Sequence, residues 1–220
     1  MELRNIDTDD IEYLLLKIES SFDMKIGDTE LAHVTTFGEL CDIIANKIEL
    51  ENTYDCTTQQ AFYKLRAAVT EIFQTDKKTI STDMLLSDLL PRINRKTKVK
   101  QLENQLGYKL NILRPPHWVT STLILIFITA LVGLFVKFEI GFILFVISVI
   151  GLWSSKKLGN ELDVKTLGQL AEKMTRENYL KVRRNPLTYN KTEIEKIITD
   201  LFADFYSLDK SKLKRDATFV

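Results

Sequence analysis

Histidine and cysteine are scarce, with two of each in 220 residues. Cys41 and Cys56 are too few for a disulfide framework and match no metal spacing. His33 and His117 have no second ligand near them at metal spacing. The eight glycines form no phosphate-cradling loop and no nucleophile elbow, and no zinc pattern is present. No catalytic residue and no metal ligand can therefore be nominated, and the chain reads as a non-enzyme. No run alternates apolar and polar residues long enough to predict a sheet. The opening MELRNIDTDD is acidic and lacks an apolar run, so no signal peptide is expected. A reducing, cytoplasmic setting is the expectation for the water-facing parts. Cys41, inside an apolar helical stretch, reads as a buried thiol.

Charge balances in total, 30 basic against 30 acidic residues, but it is unevenly spread. Through Cys56 there are 14 acidic and 4 basic residues, so the remainder carries the compensating positive charge. Such asymmetry means that parts of the protein attract each other or face different partners.

Long apolar runs are what the chain does have. Trp118 to Val136 is nineteen residues without a charge, about 28 Å as a helix. Lys137, Phe138 and Glu139 interrupt it, and Ile140 to Ser155 adds sixteen more uncharged residues before Lys156 and Lys157. One straight span would measure roughly 57 Å against a hydrocarbon core of about 30 Å, with two charges near its centre. Two antiparallel helices over 118–155, turning at Lys-Phe-Glu, avoid both problems. A re-entrant or tilted second segment and a buried soluble pair are the alternatives. Trp118 and Trp153, the only tryptophans, fall at the two mouths of this hairpin, where amphipathic rings favour the interface. With Arg114 before the first span and Lys156 and Lys157 after the second, both termini are expected in the cytoplasm. Gly133, Gly141, Ser148 and Gly151 allow close helix approach. Neither an acid nor a histidine lies inside the spans, which argues for an anchor and against a proton or ion path.

Elsewhere the pattern is helical. Ile11, Leu14, Leu15, Ile18 and Phe22 form an apolar stripe with Asp7 and Thr8 as cap candidates. Further helices are expected over Thr36–Ile48, Gln59–Phe73, Val99–Leu106, Thr166–Met174 and Thr192–Tyr206, giving an all-α fold. Two stretches recur in the same order about 130 residues apart. Val34-Thr-Thr-Phe-Gly-Glu-Leu40 returns as Val164-Lys-Thr-Leu-Gly-Gln-Leu170, and Val69-Thr-Glu-Ile-Phe73 returns as Ile198-Thr-Asp-Leu-Phe202. An internal duplication is the expectation.

Ile11 to Ile48 resembles the second, third and fourth helices of an acyl carrier protein. The marks are an apolar helix ending in acid and Phe, a Met-Lys-Ile turn, and a Val-Thr-Thr-Phe start to the last helix. Gln60 to Leu110 resembles the first helix, long loop and second helix of such a domain, with Met84-Leu-Leu-Ser-Asp-Leu89 in the family's apolar-Asp-Leu loop. Lys191 to Val220 looks like the first helix and loop missing from the N-terminal copy. The resemblance implies two small carrier-like bundles. One is permuted, built from 1–50 with 191–220, closed in cis or by a neighbouring chain. The other comprises 57–116 with 160–176, and the hairpin is inserted in it.

The family carries phosphopantetheine on a serine opening the second helix. Here the corresponding stretches are Asp7-Thr8-Asp9 and Pro91-Arg92-Ile93, so the serine is missing from both copies. Thr8 reads as a plain helix cap, with phosphopantetheine modification as the alternative. Arg92, Arg95, Lys96, Lys98 and Lys100 put five cations into nine residues at a helix start, against the macrodipole. They are candidate contacts for anionic lipid or a protein partner, against a merely solvated face; the cluster is too short and too poor in aromatics for nucleic acid. Trp118, Trp153, Lys156 and Lys157 are the expected membrane-interface residues. The resulting expectation is an inner-membrane, non-enzymatic adaptor without cofactor. Its partners would be the bilayer and an enzyme of lipid or acyl-chain synthesis, with self-association possible. An active tethered carrier modified at Thr8 and a membrane-surface structural protein are the alternatives.

Overall fold

The computed structural model describes residues 2–3, 8–31, 33–206 and 208–219. Among them the fold is all-α, with short two-residue strand pairs and no closed sheet. The chain divides into two compact units, one of Met1–Asp83 with Leu167–Val220 and the other Met84–Thr166. The residues expected as a second bundle are thus divided between the units, whereas 1–50 and 191–220 share one.

The first unit opens with β1 (Glu2–Leu3) and α1 (Thr8–Phe22), followed by one-turn α2 (Asp28–Leu31) and α3 (Phe37–Lys47). After β2 (Glu51–Asn52), α4 (Thr57–Phe73) leads into a 3-10 turn over Lys77–Thr79. In the second unit α5 (Leu86–Leu89), α6 (Arg95–Leu106) and β3 (Leu113–Arg114) precede two long apolar helices, α7 (His117–Val136) and α8 (Phe138–Leu158), and then β4 (Glu161–Leu162). The chain returns to the first unit as α9 (Leu167–Glu177), one-turn α10 (Tyr179–Val182), β5 (Thr188–Tyr189) and α11 (Lys191–Tyr206). A 3-10 turn at Lys210–Lys212 and β6 (Thr218–Phe219) complete it.

The core of the first unit is built from both ends of the chain. Leu14, Ile18 and Phe22 of α1 and Phe37, Leu40 and Ile44 of α3 pack with Ile194, Ile198 and Phe202 of α11. The Phe37 ring meets Phe202 edge-on at 5.2 Å, a favoured aromatic geometry. β1 pairs in parallel with β6, Leu3 opposite Phe219. Thr36 caps α3 in a reciprocal capping box with Glu39, a sequence-local device worth about 1 kcal/mol. Asp7 lies outside the described residues, and of Thr8 only the helical backbone is described.

Several local devices occur twice. After α1, Asp23 adopts φ 48°; the Ile26 N–H then donates to Glu19 Oε1 at 2.7 Å and Lys25 Nζ to Oε2 at 3.0 Å. After α6, Gly107 adopts φ 81°; the Leu110 N–H donates to Glu103 Oε1 at 2.9 Å and Lys109 Nζ to Oε2 at 3.1 Å. Each carboxylate thereby ties the loop back onto the helix that supplies it. Likewise Asp76 accepts the Lys78 N–H and Asp209 the Ser211 N–H, both at 2.9 Å, each opening a 3-10 turn. Antiparallel bridges join Thr36 to Thr218 and Leu85 to Thr166. The Gly38 N–H reaches the Arg215 carbonyl at 2.9 Å, and the Gly168 N–H the Thr82 carbonyl at 2.8 Å. A Cβ on Gly38 would sit 2.7 Å from that carbonyl oxygen and one on Gly168 3.1 Å from its counterpart, which accounts for glycine in both VxTxGxL stretches.

Aligning the two Asp-opened turns pairs buried Val69 with buried Phe202, and Leu65 with Ile198. This register differs by one helical turn from the match of Val69–Phe73 to Ile198–Phe202. A one-turn slip returns the same helix face to the core, so apolar pattern alone cannot distinguish the two.

The Ile26 N–H, and secondarily Lys25, hold the Glu19 carboxyl below its ordinary value. A depressed carboxyl stabilises the fold above its unfolded value and loses that contribution as pH falls through the folded one. Glu19→Ala is expected to cost about 1–2 kcal/mol at neutral pH, the deficit shrinking as acid titrates the wild type. Urea midpoints across the pH 3–7 range check this.

Candidate functional site

α7 and α8 have 20 and 21 residues and are long and apolar enough to cross a bilayer, each about 30 Å long. They face outward. Only 6 % and 17 % of their most apolar windows are buried, so they are not core helices. Their seam is lined by small groups and paired rings. Ala130 and Ser148 are buried, Phe127 meets Phe145 at 5.4 Å, and Leu123 occupies the space a Cβ on Gly151 would take. At the tip a Cβ on Gly133 would be 3.2 Å from Gly141 Cα, an approach only small residues permit.

The turn is tighter than Lys-Phe-Glu. Lys137 alone leaves helical geometry, its N–H donating to the Gly133 carbonyl at 2.8 Å while its own carbonyl accepts from the Gly141 N–H at 3.0 Å. Helix α8 takes in Phe138 and Glu139 at its start and Lys156 and Lys157 at its end. An acid in the first turn and cations in the last both favour the helix dipole, so these charges extend the helix where the hydropathy pattern ended it at Ser155.

At the open end β3 and β4 pair antiparallel, Leu113 opposite Leu162 and Arg114 opposite Glu161. Gly159 packs so closely that a Cβ there would lie 2.7 Å from Pro115 N. Lys157 Nζ sits 4.0 Å from the Trp153 ring centroid, while Trp118 and Trp153 are both exposed. Arg114 approaches Asp163 at 3.7 Å, and its Nε is enclosed without a hydrogen-bond partner.

The basic segment splits. Arg95 is buried, its Nε donating to the Leu90 carbonyl at 2.8 Å and its guanidinium also to the Asn160 carbonyl. Arg92 donates to Glu161, and its carbonyl accepts from Asn160 Nδ2 at 2.9 Å. Lys98 donates to the Leu89 carbonyl at 3.0 Å. These three fasten the start of α6 to the stretch leaving α8 or to its own preceding turn. Lys96 and Lys100 are exposed.

The first unit holds a polar cluster that sequence reasoning missed. Arg183, only 2 % exposed, donates to the hydroxyls of Thr57 and Thr53 at 2.6 Å and of Thr188 at 3.2 Å. Glu193 accepts from the Thr57 hydroxyl at 2.6 Å, the Thr57 N–H at 3.0 Å and the Tyr179 hydroxyl at 3.3 Å. Asn190 caps α11 and donates its N–H to the Tyr179 oxygen at 2.9 Å. The guanidinium and the carboxylate thus share the Thr57 and Tyr179 hydroxyls between them, a satisfied network of the kind buried charges require. In sequence Arg183-Arg184 looks like ordinary surface charge.

Beside this cluster a cleft of about 380 Å³ is lined by Cys56, Glu172, Arg176, Glu193, Lys196 and Lys210 among others. Among the described residues no group of three or more His, Cys, Asp or Glu could hold a metal. The two thiols differ sharply: Cys56 is exposed, whereas Cys41 is buried and burial pushes its pKa up to about 12. Only the thiolate reacts, so a maleimide is expected to label Cys56 in the native protein and to reach Cys41 only after unfolding. Mass spectrometry of peptides from a timed labelling series reads the difference.

No protein-family model, no curated protein and no solved structure matches this chain.

Proposed function

We propose that the chain is an inner-membrane adaptor, with α7 and α8 as a two-helix anchor and both termini in the cytoplasm, and that it works by protein contact and not by catalysis. One observation carries this reading. Two outward-facing apolar helices of bilayer length have their open ends tied together by the β3–β4 pair, so one chain enters and leaves at the same level. Apolar area of that extent facing water would drive aggregation, whereas lipid satisfies it.

The recurring carboxylate ties, Asp-opened turns and glycine approaches support a duplicated, carrier-like ancestry for the water-facing part. The attachment hydroxyl is missing at Pro91-Arg92-Ile93, where Arg92 is engaged by Glu161. The resemblance suggests a partner among enzymes of lipid or acyl-chain synthesis. Cross-linking in the native membrane tests the reading. Recovery of such an enzyme supports it, together with an intact mass free of phosphopantetheine. A phosphopantetheine adduct, or a chain that washes off membranes in alkaline carbonate, contradicts it.

A further inference from the structure

The mouth of the hairpin collects more positive charge than its own acids engage. Arg114 stands just before α7, and Lys156 and Lys157 end α8. The β3–β4 register and the Gly159 approach to Arg114 and Pro115 force these two stretches together. Lys156 makes no ion pair among the described residues. Lys157 lies over the Trp153 ring and pairs with no acid among them. Arg114, its side chain 42% exposed, reaches Asp163 only at 3.7 Å. The other acid of the mouth, Glu161, is taken by Arg92, with Arg95 at 4.0 Å. Trp153, exposed beside these cations, is the residue type that settles at headgroup depth. The nearby basic segment is a weaker candidate, since Arg92, Arg95 and Lys98 are engaged within the unit.

From this juxtaposition we infer that Arg114, Lys156 and Lys157 form a docking surface for the phosphate of an anionic phospholipid headgroup. The inference rests on the anchor reading and deepens it. The lipid phosphate lies among the three cations with Trp153 alongside it, and its acyl chains run down the outer face of the hairpin. A net negative headgroup is selected because a zwitterionic one brings its own ammonium into the same cluster. Three cations near a surface, each contributing about 1 kcal/mol, correspond to a preference of up to about a hundredfold.

Full-length protein is reconstituted from detergent with phosphatidylcholine vesicles or with vesicles containing phosphatidylglycerol, and lipids retained after gentle extraction are counted by native mass spectrometry. Wild type is expected to insert into both and to retain phosphatidylglycerol at least about tenfold over phosphatidylcholine. Arg114→Gln/Lys156→Gln/Lys157→Gln should insert equally and lose the preference. Lys156→Arg/Lys157→Arg should keep it, and so should Lys96→Gln/Lys100→Gln. Insertion without preference, or loss of preference in the Lys96/Lys100 variant, overturns the inference alone. Failure to insert into either vesicle overturns the anchor reading and the inference with it.

Discussion

Deleting residues 116–158 and joining Pro115 to Gly159 through two glycines is expected to move the protein wholly from the membrane pellet to the supernatant, with the rest of its fold intact. The deletion joins points that already touch, since a Cβ on Gly159 would lie 2.7 Å from Pro115 N. The strand pair beneath, Leu113 opposite Leu162, is retained. The duplicated geometry gives a second reason. Between Ile26 and Thr36 the chain needs only one-turn α2, whereas between Leu110 and Thr166 it passes through the whole hairpin. Short and long connections thus join the same two devices, and loop length costs little once its ends are fixed. Helical circular dichroism per residue and hydrogen exchange at Leu110, whose N–H donates to Glu103, report whether the remaining fold persists. Aggregation of the shortened chain, or loss of protection at Leu110, would show that the hairpin is structural and not an appended anchor.

Arg183→Ala should be the most damaging single substitution in the first unit. It removes three donors from the Thr53, Thr57 and Thr188 hydroxyls and the guanidinium that shares the Thr57 and Tyr179 hydroxyls with Glu193. Leaving the hydrogen bonds of a buried guanidinium unmade costs roughly 1–3 kcal/mol, a substantial share of the roughly 5–15 kcal/mol that holds a domain together. The network spans Thr53, Thr57, the α10 region and the start of α11, so its failure loosens segments far apart in sequence. Amides at Thr57 and Asn190, which donate to Glu193 and Tyr179, should lose their exchange protection first. Arg183→Lys should lose less, because an ammonium keeps the charge but cannot reach three hydroxyls with one planar fork. A cost below about 1 kcal/mol for Arg183→Ala would contradict a central role for this cluster.

What the sequence disclosed follows from how local each signal is. Helix α3 was legible to within a residue because Thr36 and Glu39 form a capping box out of neighbours. The two apolar helices were legible because lipid-length runs carry their meaning without a partner. Helix α6 starts at Arg95 and not at Val99 because Arg95 is buried against the Leu90 and Asn160 carbonyls. That tertiary gain overrides the unfavourable cations of the first turn and cannot be seen from propensity. One-turn α2, α5 and α10 are too short to show a period. The strand pairs join residues distant in the chain, Glu51 to Thr188 and Glu2 to Thr218 among them, and no two-residue strand announces itself. Arg183 was illegible for the same reason: its hydroxyl partners Thr53 and Thr57 lie over a hundred positions upstream. Within the basic segment Arg92, Lys96 and Lys100 stay exposed while Arg95 is buried, an inward turn that adjacency in sequence does not reveal.

A two-helix anchor requires both ends of the hairpin to emerge at one face of a bilayer. Single cysteines introduced as Arg114→Cys, Lys137→Cys and Lys156→Cys, on a background with Cys41 and Cys56 replaced by Ser, can be probed with a membrane-impermeant maleimide in sealed inner-membrane vesicles of known orientation. Labelling of positions 114 and 156 from the cytoplasmic side, with position 137 protected there until the opposite side is exposed, is the predicted result. Positions 114 and 156 labelling from opposite sides, or all three labelling from the same one, would contradict it.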